Sequence, residues 1–171
     1  MTVSEIYAKL ANHMIKGLMI HESLANYYEY LNLHGYSHFH EKQYKEESKS
    51  YRKLHQYYIT HYRMMIPESK PDTKLDIVPS EFYGRSSLTL ETRAIRQYVK
   101  MGLEKWVKWE TDTKKLYQEM YSELIAIKEI ASAMFVEGLI CDVDEELCKA
   151  QSYLMTKQTV DYDILSIVEE Q

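Results

Sequence analysis

The sequence predicts an all-α fold, a bundle of four long helices in which two antiparallel hairpins are joined by one long crossover. Punctuation is the first observation behind it. The 171 residues include only five glycines and three prolines, whereas a fold of many short strands needs frequent turn residues. Periodicity is the second: apolar side chains recur at three- and four-residue steps through most of the chain, the mark of amphipathic helices. Length is the third, since residues 1–171 suit a single domain able to bury about 70% of its unfolded surface.

Helix A is expected over residues 4–34. Ser4 reads as its N-cap, and Ile6, Leu10, Met14, Gly17, Leu24, Tyr28 and Leu31 form its apolar stripe. Gly35 then reads as a left-handed C′ residue and Ser37 as the next N-cap. Helix B is expected over 38–66, stopped by Pro67 and Pro71. Residues 67–86 hold all three prolines and no helical period, so they form the crossover. Twenty residues can stretch to about 65 Å, enough to run along a helix about 45 Å long. Helix C is expected over 87–127, with a break near Gly102, and helix D over 132–155, leaving a tail at 156–171 with a short helix over 159–171. The segment between C and D, AIKEIAS, contains neither glycine nor proline. One continuous C–D helix is therefore the alternative, but without a coiled-coil heptad it would be far longer than globular helices run.

Composition excludes several classes of function. The net charge is −5, the charges are interleaved, and no basic tail offers a footprint for nucleic acid. No run of 18 apolar residues occurs and the N-terminus lacks a signal-peptide pattern, so a cytoplasmic protein without a membrane partner is expected. Cys141 and Cys148 lie seven residues apart on one helix face, about 10 Å, beyond the Cα distance a disulfide tolerates, so reduced thiols are expected. Most of the sixteen tyrosines fall at helical spacing and read as amphipathic core. No phosphate-cradling glycine loop exists, so no nucleotide or organic cofactor is expected. The paired Glu-x-x-Glu and Glu-x-x-Asp pattern of an acidic all-α nucleotide pyrophosphatase is not convincingly present either.

Rotation of about 100° per residue brings polar groups onto the inner stripes. Helix A offers His21, with Glu22 one step towards the flank; helix B offers Glu47, with His40 and His55 along the same stripe. Helix C offers Glu110, and helix D offers Glu146, with Asp142 further out. Measured from the A–B and C–D turns, these groups fall at one height. Buried carboxylates are costly unless paired or metal-bound, so the convergence calls for a cation or a hydrogen-bond network. A site built from His21 or Glu22 with Glu47, Glu110 and Glu146 suits iron, manganese or zinc, with His55 as a spare ligand. His34, His38 and His40 at the A–B turn read as solvated, as do Asp144 and Glu145.

Four segments resemble the ferritin-like superfamily. WVKWETDTKKLYQEMYSEL resembles the third ferritin helix, with Glu110 at its metal-binding glutamate, and FVEGLICDVDEEL resembles the fourth. HESLANYYEYL and KEESKSYRKLHQYYI resemble the first helix and the Glu-Glu stretch of the second. The resemblance implies a ferritin-like bundle that binds Fe or Mn between its helices, with ferroxidase or oxygen-dependent activity, and that forms a homo-oligomer of two or more copies. The family's Glu-x-x-His pairs depart here: Glu47 is followed three residues on by Ser50, and Glu146 by Lys149. A complete six-ligand di-iron centre is therefore not expected. The alternative is a metal-free bundle acting as a structural or protein-interaction module.

Overall fold

A computed structural model describes residues 1–157; the tail helix expected over 159–171 lies outside the described residues. Thr2 rather than Ser4 caps the first helix, α1 (Val3–Tyr30). Its hydroxyl accepts from the Glu5 N–H at 3.2 Å, while the Glu5 carboxylate accepts from the Thr2 N–H at 2.8 Å, a reciprocal capping box. The A–B turn comes earlier than glycine placement suggested. Asn32 takes the left-handed conformation (φ 59°), and the N–H groups of Asn32 and Leu33 bond back to Glu29 and Tyr28, closing a Schellman motif. Gly35 and Ser37 consequently lie inside α2 (His34–Tyr62), which ends at left-handed Arg63 before Pro67 is reached.

The crossover follows. Ile66 is buried among the residues near the start of α1, whereas Ile77 and Phe82 are buried near its end. The connection thus runs lengthwise along the bundle. Phe82 anchors it by stacking on Tyr30 at 4.1 Å and packing on Tyr27 and Tyr98. Short 3-10 turns at Ser80–Phe82 and Ser87–Thr89 lead into α3 (Thr92–Ala126), which starts five residues later than expected.

Helix α3 does not break at Gly102. A Cβ there would come within 2.9 Å of Tyr28 Cζ, and closer still to its hydroxyl. Glycine is present so that a fully buried ring can lie on the helix backbone. Gly102→Ala is expected to cost about 1–3 kcal/mol through overpacking, outweighing the ~1 kcal/mol helix preference of alanine; urea denaturation measures the difference. Helices α3 and α4 (Ile130–Lys157) are separate, although no glycine or proline divides them. Lys128 turns left-handed (φ 63°), and the N–H groups of Lys128 and Glu129 bond to the carbonyls of Ile125 and Leu124, a second Schellman motif.

The helices pair as α1 with α2 and α3 with α4, and the hairpins meet chiefly where α1 crosses α3. The interior is two apolar clusters rather than one. Leu24, Tyr28, Leu103 and Trp106 belong to the cluster at the A–B turn; Leu10, Met14, Leu54, Tyr117 and Val136 belong to the one at the opposite end. A polar layer lies between them.

Candidate metal centre

Each helix places one acidic or imidazole side chain in that layer. His21 of α1 and Glu110 of α3 are buried, at 2% and 5% exposure, while Glu47 of α2 and Glu146 of α4 are half-buried. His21 Nε2 lies 3.6 Å from Glu110 Oε1, and the Trp106 indole N–H, one helical turn before Glu110, donates to the same oxygen at 3.2 Å. Gly17 admits Glu47 to the layer, because a Cβ there would stand 3.2 Å from the Glu47 carboxylate and from the Trp109 ring.

Helices α2 and α4 stand far enough apart to leave a cleft of about 280 Å³ leading to these groups. Glu47, Ser50, Glu110, Tyr117 and Glu146 line it, together with exposed Glu46, Asp142 and Glu145. Burial pushes the Glu47 carboxyl up to about 7; His21 opposes the rise, and the charges of Glu110 and Glu146 add to it. Burial also raises Glu146, with Glu110 contributing and Lys149 opposing. One oxygen of Glu146, Oε2, is buried without a hydrogen-bond partner.

Glu22 does not join the group. One residue beyond His21, it is rotated about 100° away, is exposed, and lines a separate apolar groove with Leu18, Met19 and Tyr44. His55 lies two turns past Glu47, edge-on to Tyr51 at 4.6 Å and outside the cleft's lining. His34 and His38 are exposed beside Glu29 and Glu41, as their turn position suggests. His40 is a correction. It is 1% exposed, sits between Tyr28 and Trp106, and shares a 3.2 Å Nδ1–Nδ1 hydrogen bond with His21. Burial holds its ring well below the usual histidine range, so it stays neutral. The signal was present in the stripe it shares with Glu47, seven residues on. Trp106, as the donor to Glu110, carried no such signal.

Among the described residues, no three His, Cys, Asp or Glu side chains already converge on the position of one ion. The donor chemistry nevertheless fits a cation. Three carboxylates line a water-accessible cleft with the His21 imidazole beside one of them, one buried oxygen lacks a partner, and burial, with the neighbouring carboxylates adding, favours the protonated form of Glu47. Carboxylate and imidazole together suit Mn(II), Fe(II) or Zn(II). His40, bonded to the far nitrogen of His21, would orient that ring as outer-shell partners of metal-bound histidines do.

Comparison with solved structures gives the architecture its family likeness. An open-pore ferritin from the hyperthermophilic archaeon Archaeoglobus fulgidus superposes with a TM-score of 0.73 at 16% identity, over 98% of this chain and 93% of that one. An engineered closed form of the Archaeoglobus fulgidus ferritin matches equally well, at 16% identity over 98% and 92% of the two chains, with a TM-score of 0.73. The chain has the ferritin-like fold. A humanized archaeal ferritin agrees, at 17% identity over 99% and 95% of the chains, again with a TM-score of 0.73. No protein-family model matches the sequence, and no curated protein matches it. This ferritin-like bundle has carboxylates on α2, α3 and α4, with Ser50 and Lys149 where Glu-x-x-His spacing would put histidines.

Proposed function

We propose that this ferritin-like bundle binds a single divalent transition-metal ion, iron or manganese, through Glu47, Glu110, Glu146 and His21. The observation that carries the reading is the partnerless buried Oε2 of Glu146 beside the proton-holding Glu47. A cation there would satisfy that oxygen and displace the proton, since metal ligands bind deprotonated. When bound, the ion supplies charge compensation to the carboxylates and, for iron, an accessible redox couple. The cleft gives it an entry path, with Glu46, Asp142 and Glu145 attracting cations at the opening. Assembly into homo-oligomers belongs to the same reading and rests on the likeness to ferritins. No helix among the described residues is long and apolar enough to cross a membrane.

The test is metal uptake by protein purified without chelator, measured by elemental analysis and by Mn(II) electron paramagnetic resonance. About one equivalent is expected, with Glu110→Gln weakening affinity at least tenfold while circular dichroism is unchanged. Less than a tenth of an equivalent of Mn(II) or anaerobic Fe(II) would sink the proposal. That result would favour the second reading, a metal-free bundle acting through protein contacts. It draws support from the internal bonds of Glu110 to Trp106 and of His21 to His40, which already satisfy part of the layer.

A further inference from the structure

The solvent face of α4 carries a row of side chains that is symmetric about its own midpoint. Met134, Cys141, Cys148 and Met155 follow one another at intervals of seven residues. All four are exposed, the methionines at 65% and 69%. Seven residues fall within about 20° of two helical turns, so the four sulfur-bearing groups form a single line about 10 Å apart. Ile130, 53% exposed, extends it, and exposed Gly138 and Ser152 keep it low enough for close approach. A two-fold axis across α4 between Asp144 and Glu145 exchanges Met134 with Met155 and Cys141 with Cys148. A second copy laid antiparallel on this face therefore meets methionine with methionine and cysteine with cysteine.

Charge selects the antiparallel arrangement over the parallel one. The first half of the exposed face carries Glu137 and Asp142, whereas in the second half Lys149 balances Glu145. Reversing the second copy keeps the two acidic halves apart and opposes the helix dipoles favourably. Contact alone makes only a weak pair. A strip about 38 Å long and one helix wide covers roughly 400 Å² per copy, half the ~800 Å² per partner of a stable interface. The two Glu145 carboxylates, close to the axis, also repel. A covalent link is what would hold such a pair, and the cysteines are too far apart along α4 to spend themselves on an internal bond.

We propose that α4 is a redox-controlled self-association face, on which oxidation joins Cys141 of one copy to Cys148 of an antiparallel second copy, twice per pair. Each bond forms in two steps. One thiolate attacks a peroxide oxygen, breaking the O–O bond and releasing water to leave a sulfenic acid; the opposing thiol then displaces its oxygen as a second water. Two thiols and one hydrogen peroxide thus yield one disulfide and two waters. The inference is independent of any metal in the bundle.

The test treats reduced full-length protein with stoichiometric hydrogen peroxide, followed by non-reducing electrophoresis and peptide mapping. The wild-type chain should give a dimer, reversed by dithiothreitol, whose cross-linked peptides join Cys141 to Cys148. Cys141→Ser and Cys148→Ser should each dimerise at less than a tenth of the wild-type yield, and an equimolar mixture of the two should recover a singly linked dimer. Met134→Glu should lower the yield severalfold while iodoacetamide labels both thiols at the wild-type rate. A wild-type chain that stays monomeric under peroxide overturns the proposal. So do single variants that cross-link as well as wild type, or maps dominated by links between identical cysteines.

Discussion

Replacing Trp106 by alanine is expected to lower unfolding free energy by about 3–5 kcal/mol, the usual cost of emptying a buried tryptophan site. Trp106 is 1% exposed and packs against Phe39, His40 and Tyr153, so it joins three helices and the floor of the polar layer. Its loss does two things. It leaves a cavity in the apolar cluster at the A–B turn, and it deprives the buried Glu110 carboxylate of its indole donor. Trp106→Phe separates them. The phenylalanine fills much of the space but donates nothing, so its cost isolates the lost hydrogen bond to a buried charge, about 1.5–3 kcal/mol. In the Glu110→Gln background the Phe substitution should cost visibly less, because a neutral amide needs the donor less. A double-mutant cycle in urea reads the coupling; additive costs would show that the indole acts by packing alone.

The second large effect concerns pH. An unfolded glutamate loses its proton near 4.5, whereas Glu47 in the folded chain keeps it to about 7. Between those values the native state binds more protons than the unfolded one, so stability falls as pH rises. The contribution of Glu47 is complete below pH 4.5 and gone once pH has passed 7. Its size is on the order of 2 kcal/mol once screening by water in the cleft is allowed for. Glu146, shifted the same way, adds to the slope. His13 acts oppositely in acid: burial against Trp109 lowers its ring to about 4, so stability is lost as pH falls from 6.5 towards 4. The informative quantity is therefore the difference between Glu47→Gln and wild type. With a chelator present, the variant should gain stability relative to wild type on going from pH 5 to pH 8, read by thermal unfolding. Adding Mn(II) at pH 8 should narrow that gap by stabilising wild type through binding to the folded state alone. Parallel pH profiles for the two proteins would show that Glu47 ionises freely.

Much of this was legible in the residues. Scarce glycine and proline, with long three- and four-residue periods, led to four helices and a lengthwise crossover, because burial of an apolar stripe is written directly into spacing. The same rotation argument picked out His21, Glu47, Glu110 and Glu146, since a polar residue on an apolar stripe has few places to go. Turn positions were read less well. Asn32 and Lys128 end their helices in the left-handed conformation, and what selects them is backbone hydrogen bonding around each turn, which other residue types tolerate at modest cost.

By itself, then, the sequence determined the helices, their faces and the acidic content of the layer between the two apolar clusters. Only the tertiary structure decided how that layer is wired. The 3.2 Å contact of His21 with His40 and the bond from Trp106 to Glu110 depend on where facing helices put their side chains. So does the approach of Glu47 over Gly17. Periodicity specifies direction around one helix axis and says nothing of the distance to the next. The separation of α2 from α4 opens the cleft, leaves Glu146 Oε2 without a partner, and turns a list of acids into a candidate metal site.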